Sequence, residues 1–279
     1  LGAAAHLAEH RDFNGTVHFI FQPDEEHGQG AQAMIDDGLF DRFSIDEVYG
    51  LHNMPGLAEG TFTVRPGSLM ASESSFEIRI TGVGGHAAMP HKGIDPIVVG
   101  SQIILGLQTI VSRNLSAIEE SAVVSATEFI TNGTVNVIPS EVVIKGDCRC
   151  FTEEALTKIR DAMERIVAGT CQAAGAQYGF DFRNTFHPTI NSPDHTTKAI
   201  AAANAIFGTD NVISDCHPLT ISEDFSSMLR VKPGCYGLIG NGTGSAGGCA
   251  LHNPNYDFND RVLAHGAQYW VQLVRDILV

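Results

Sequence analysis

The stretch SSFEIRITGVGGHAAMPHKG, residues 74–93, marks a change of texture in the chain. Phe76, Ile78 and Ile80 alternate with polar residues, so an extended segment here has one apolar and one wet face. A helix is expected next, from Asp95 to about Arg113, with Ile97, Ile104, Leu107 and Val111 on its apolar stripe. Two strand-like runs follow, AVVSATEFI and EVVIKGDCRCF, with an Asn132-Gly133 turn between them. A second helix starts near Thr152, with Glu153 and Glu154 in its first turn, where the helix dipole favours them. AQYGFDFRN closes the block as a strand. Strand, helix, strand, strand, helix, strand is the ferredoxin-like order.

The flanks read differently. LGAAAHLAEH looks like the middle or end of a helix, and TVHFIFQP (Thr16–Pro23) suits a strand buried on both faces. GAQAMIDDGLF reads as a helix ending near Gly38, and EVYGLHNMP and EGTFTVRPG as strands. Beyond HPTINSPD come a helix over roughly His195–Phe207 and a buried strand, GCYGLIG. The last helix begins near Asn259-Asp260 and carries Leu263, Ala267, Trp270, Val274 and Ile277 on one face. The expected organisation is an α/β domain of residues 1–70 and 184–279, interrupted by an α+β insertion of residues 71–183.

Seventeen basic against 32 acidic residues give a net charge of -15 over 279 residues. Nucleic acid and anionic membrane surfaces both require a basic face, so neither is an expected partner. No apolar run reaches membrane-spanning length and no signal peptide is visible. The six cysteines form no CxxC, and a chain with a large core needs no disulfide scaffold; reduced thiols in a cytoplasm are expected. Asn14, Asn114, Asn132 and Asn241 head N-x-S/T triplets, a short pattern that also arises by chance. The chain opens on Leu1 in mid-helix without an initiator Met or a cap, so a preceding segment is expected.

Chemistry concentrates in a few places. In FQPDEEHGQG (Phe21–Gly30), Glu25 and Glu26 are adjacent carboxylates at the end of a strand-like run. Such neighbours point in different directions, so one can ligate a divalent cation while the other faces substrate and water. A solvated acidic loop is the plain alternative. His52 and His252 each sit in a Leu-His-Asn triplet followed by a proline, LHNMP and LHNP. Imidazole and carboxylate suit zinc- or manganese-type ions, and sites in open α/β sheets gather where strands end. GNGTGSAGG lacks the Lys and Ser/Thr of a phosphate loop and reads as a flexible connection to His252. His86 follows a glycine pair; Arg149 has the fork to bind a carboxylate; Asn136 has a side-chain donor; Glu223 and Asp224 form either a helix-end cluster or a site wall. No G-x-S-x-G disfavours a serine hydrolase.

These blocks resemble the metal-dependent aminoacylase/carboxypeptidase family, in the branch of hippurate hydrolases, N-acyl-amino-acid amidohydrolases and auxin-conjugate hydrolases. FQPDEEHGQGAQAMIDDG, GLHNMP, GVGGHAAMPHKGIDPI, GTVNVIP, SEDF and LHNPNYDFND match its blocks in order, over essentially the whole chain. The resemblance implies a di-metal α/β catalytic domain, incomplete here at its N-terminus, with an inserted ferredoxin-like lid through which the protein dimerises. It implies that Glu25 is the general base, that Glu26, His52 and His252 are metal ligands, and that His86 stabilises the tetrahedral oxyanion. Asn136, Arg149 and Glu223 become candidates for substrate contacts. The implied cofactors are two divalent ions, Zn or Mn, and the implied substrate is a small N-acyl amino acid. In this branch a CGHDGHT-like block supplies a bridging Cys and a further His; it lies upstream of the segment matching LGAAAHLAEH and is not in this sequence. Glu26 and His252 then share one metal position, with His52 at the other. An inactive remnant serving only as a folded dimerising or binding module is the alternative reading.

Overall fold

The computed structural model describes residues 1–244 and 247–279. Ser245 and Ala246, at the centre of the expected connection GNGTGSAGG, lie outside the described residues. The backbone divides into two compact units. One comprises Leu1–Leu69, Thr189–Leu219 and Glu223–Val279, the other Met70–Pro188 and Thr220–Ser222.

The second unit is built on an antiparallel sheet in the order Ala122–Thr131, Glu141–Cys150, Glu73–Thr81, Gln177–Phe186. Ile78 lies opposite Ile144 on one side and Phe180 on the other. The alternation read from the sequence delivers Phe76, Ile78, Ile80, Ile144, Cys148 and Cys150 to one buried face. Helices Pro96–Thr109 and Glu153–Ala174 cover that face. Their ends follow capping chemistry. Asp95 accepts the Ile97 N–H ahead of Pro96, Thr152 accepts the Ala155 N–H, and Gly175 takes the left-handed conformation at φ 72°.

The first unit carries a mixed sheet. Val48–Pro55 runs parallel to Gly234–Gly242, which is antiparallel to Phe62–Thr63, itself parallel to Val212–Ile213. Gly234–Gly242 is buried throughout, and at Gly237 an added Cβ would sit 2.4 Å from the Phe62 ring. Helices Pro193–Phe207 and Leu263–Ile277 bring Ala199, Ala203, Phe207, Tyr269 and Leu273 onto Phe62 and Ile239. All six cysteines are free thiols.

Three expectations need correction. Thr16–Pro23 joins no strand ladder among the described residues, and Phe19 and Phe21 are 41% and 67% exposed. Its β-rich composition is real, but a strand also needs a neighbour's hydrogen bonds. The buried edge of Pro96–Thr109 is Val99, Ile103 and Leu107, while Ile97 is exposed and Ile104 flanks the core, so the stripe is rotated from the one expected. Pro96–Asn114, with mean hydropathy 1.2, is long and apolar enough by composition to cross a membrane; here Val99, Ile103, Leu107 and Ile110 enter the core. The last helix keeps Leu263, Ala267, Trp270, Val274 and Ile277 on one face, as expected: all five line a cavity of about 940 Å³, with Tyr269 and Leu273 buried beside them.

Ile144 is fully buried at the middle of the second unit's sheet. Ile144→Ala should cost about 3 kcal/mol through lost transfer energy and the void left behind, read as a lower urea midpoint. A loss below about 1 kcal/mol would mean that the site collapses freely around the smaller side chain.

Candidate active site

The acidic pair sits on a tight loop. Asp24 adopts the left-handed conformation at φ 50°, Glu25–His27 forms one 3-10 turn, and Gly28 leaves it at φ 64°. Gly30 then passes so close to Pro23 that an added Cβ would lie 1.4 Å from the Pro23 carbonyl oxygen. The turn sends the two carboxylates apart. Glu25 is half-buried and lines the 940 Å³ cavity, which His52 also lines. Glu26 is exposed, and its Oε1 lies 3.1 Å from His252 Nε2.

His252 itself has φ 63°, so Asp24 and His252 are the two non-glycine residues at positive φ among the described residues. Such conformations cost free energy unless the surroundings hold them. Asn241 does so for the His252 loop. Its amide donates to the carbonyls of Gly247 (2.8 Å) and Asp257 (3.3 Å), and its Oδ1 accepts the Asn259 N–H at 3.0 Å. Asn241 is fully buried, which removes it as a glycan acceptor.

The imidazoles have assignable tautomers. His52 Nδ1 lies 2.5 Å from the Asn53 carbonyl, so Nδ1 carries the proton and Nε2 keeps a free lone pair, the arrangement of a metal-ligating histidine. In the other unit, the Ala88 N–H donates to His86 Nδ1 at 3.1 Å, so the neutral ring carries its proton on Nε2 and can donate there. The short ladder of Gly85–His86 with Val137–Ile138, together with Ala87 N–H donating to the Asn136 carbonyl, brings His86 and Asn136 side by side.

Two carboxylates inside the first unit, Glu25 and Asp224, are raised, chiefly by burial. Burial pushes Glu25 up to about 7, helped by Glu223, Glu26 and Asp224. Burial likewise pushes Asp224 up to about 6, against hydrogen bonds from the Ala31 and Gly30 N–H groups. A carboxylate near 7 is matched to proton transfer at neutral pH. Glu223, expected at the substrate, is only 4% exposed. It accepts from Tyr236 Oη at 2.5 Å, from Gln22 Nε2 at 3.2 Å and from the Phe225 N–H at 3.2 Å. Those partners consume both oxygens and turn them inward. Arg149, also expected at the substrate, binds Glu73 (2.8 Å), Asp147 (3.0 Å) and Ser222 (3.0 Å), so a substrate carboxylate would have to displace an ion pair already made. Gln22, Tyr236 and Asn241 escaped the sequence reading, since no local pattern tells a buried polar support from an ordinary strand residue.

Among the described residues no three His, Cys, Asp or Glu side chains converge as a ligand set. Glu26 and His252 do meet, at a separation that two donors on one small divalent ion adopt when each bond is about 2.0–2.2 Å. The pair fits part of a metal site.

A family model described as peptidase family M20/M25/M40 matches residues 1–276. The hippurate hydrolase of Campylobacter jejuni is 37% identical over 97% of this chain and 69% of its own length. An N-acetylcysteine deacetylase of Bacillus subtilis is 35% identical over 100% of this chain and 71% of its own length. The solved structure of a dinuclear metal-binding M20 peptidase from Bacillus subtilis superposes with a TM-score of 0.82 at 30% identity, covering 99% of this chain and 69% of that one. The chain thus spans about 70% of the length of these relatives.

A carboxyl whose folded-state pKa is raised contributes stability in full below its unfolded value and loses it as pH rises through the folded one. For Glu25 that window runs from 4.5 to about 7, and for Asp224 from 3.8 to about 6. The Tm of the metal-free protein should therefore carry a downward component as pH climbs through this range, and Glu25→Gln should flatten it. An unchanged slope in the variant would show that Glu25 titrates normally.

Proposed function

Since this chain belongs to the peptidase family M20/M25/M40, a family of amidohydrolases and peptidases, we propose that it hydrolyses the amide bond of small N-acyl amino acids with Glu25 as general base. The observation that carries this reading is the divergence of two adjacent carboxylates. Glu25 is desolvated in a cavity shared with His52, while Glu26 stands outside against His252. The substrate class rests on the relatives, whose names specify hippurate and N-acetylcysteine.

Glu26 and His252 would hold one divalent ion, Zn or Mn, and His52 through its free Nε2 would contribute to a second. When bound, such ions polarise a carbonyl and make water acidic enough to ionise near neutral pH. Glu25 takes the proton from the attacking water and passes it to the leaving nitrogen, so the amine departs neutral. Its pKa of about 7 lets it act in both directions. His86 Nε2–H is the donor we assign to the developing oxyanion, and Asn136 beside it to a substrate carbonyl or carboxylate. Arg149 and Glu223 are left out of this contact set: both Glu223 oxygens are engaged, and Arg149 already binds Asp147 through Nε and Glu73 and Ser222 through Nη1. We assign the catalytic role to residues 1–70 and 184–279, and that of lid and dimerisation unit to residues 71–183. Homodimerisation is supported by Ala122–Thr131, an edge strand with Val123, Phe129 and Ile130 exposed. The free, mostly buried thiols support a cytoplasmic setting.

Hippurate and N-acetylcysteine, assayed with added Mn or Zn by amine release, are the test. Glu25→Gln should lower kcat about 10³-fold while bound metal is retained, because the base is lost and Glu26 stays. Near-normal turnover by that variant would remove Glu25 from the mechanism. For the dimer, Ile130→Lys should halve the mass seen by light scattering; an unchanged mass would place the interface elsewhere.

A further inference from the structure

The segment Glu223-Asp224-Phe225 is 193 residues and more from the loop it touches. Asp224 is 1% exposed. Its Oδ2 accepts the Ala31 N–H at 2.8 Å, the Gly30 N–H also points to its carboxylate, and its Oδ1 accepts from Gln22 Nε2. Its own backbone N–H faces the Glu25 carboxylate closely enough to stabilise the charged form. Asp224 thus grips the acidic loop before Glu25 through Gln22, after it through Gly30 and Ala31, and at the carboxylate itself. Glu223 anchors this arrangement to the sheet, since Tyr236 belongs to the buried strand Gly234–Gly242.

We propose that Asp224 is the positioning residue of the site: a clasp that holds the Pro23–Gly30 loop closed and so sets the direction in which Glu25 enters the cavity. This inference rests on the assignment of Glu25 as the base. The loop needs such a clasp. It enters through a left-handed Asp24, leaves through a left-handed Gly28 and closes with Gly30 against the Pro23 carbonyl. A helix of only seven residues, Gly30–Asp36, follows, and its first N–H groups have no partner inside the helix. Removing the Asp224 carboxylate frees those groups and lets the loop open. Misplacing a general base by about 1 Å costs about 10²-fold in rate.

The experiment compares Asp224→Ala with Asp224→Asn. The asparagine keeps an oxygen for the Ala31 N–H, and Gln22 keeps its bond to Glu223, so the grip after Glu25 survives without the charge and only the Gln22–Asp224 contact is lost. In Asp224→Ala the amides of residues 24–31 should exchange with deuterium at least about 10-fold faster while those of the second unit's sheet are unchanged. Its kcat on hippurate should fall about 10²-fold with KM within threefold. Asp224→Asn should restore both to within about threefold of the wild type. Wild-type exchange and kcat in Asp224→Ala would overturn the clasp. So would an asparagine variant as slow as the alanine with wild-type exchange, since Asp224 would then act through its charge. Should Asp224→Ala fail to fold, the asparagine variant alone decides on the same two measurements. If the wild-type protein cleaves no N-acyl amino acid, the functional reading fails and the exchange comparison still judges the clasp.

Discussion

Two carboxylates that neighbour each other in the chain cannot both enter one apolar cavity as charges, and the backbone resolves this by turning between them. The left-handed Asp24 and the single 3-10 turn after it put Glu25 inside and Glu26 outside. Everything chemical follows from that separation. The inside carboxylate is desolvated and basic, whereas the outside one is exposed and lies against His252. Glycine is required at position 30, because any side chain there would strike the Pro23 carbonyl and spring the turn open.

The supports of this turn are themselves polar and buried, an arrangement that is stable only when every member is satisfied. Glu223, Asp224, Gln22 and Tyr236 meet that condition through one another and through backbone N–H groups. Asn241 and Asn259 do the same for the loop that carries His252. Both halves of the Glu26–His252 contact are therefore held by buried hydrogen-bond networks, although the two side chains are 67% and 75% exposed. In the other unit His86 is positioned by a different device, a two-residue ladder, and the Ala88 N–H fixes its tautomer.

Much of this architecture was legible in the residues. Strand alternation at Phe76, Ile78 and Ile80 and the caps Asp95 and Thr152 are local signals, and local sterics and hydrogen bonding honour them. Glu25, Glu26, His52 and His252 were legible as types of donor but not by place: His52 lies inside the strand Val48–Pro55, and the run before Glu25 and Glu26 joins no ladder among the described residues. Thr16–Pro23 misled, because apolar, β-branched composition expresses a willingness to pair, and pairing requires a second strand. The last helix did carry the expected apolar face: Trp270, Val274 and Ile277 line the cavity, and Trp270 and Ile277 also pack against the core that Tyr269 and Leu273 fill.

The amino-acid sequence alone thus determined the family, the order of elements and the chemical kinds of group available at the site. It did so because these depend on periodicity, caps and motifs whose partners lie within a few positions of one another. Which carboxylate is buried, which histidine nitrogen is free and whether Glu223 faces a ligand or a tyrosine were decided only by the tertiary structure. Those properties depend on atoms 226 residues away for Glu26 and 202 residues away between Gln22 and Asp224. Burial and electrostatic influence act through space, and no local pattern records them.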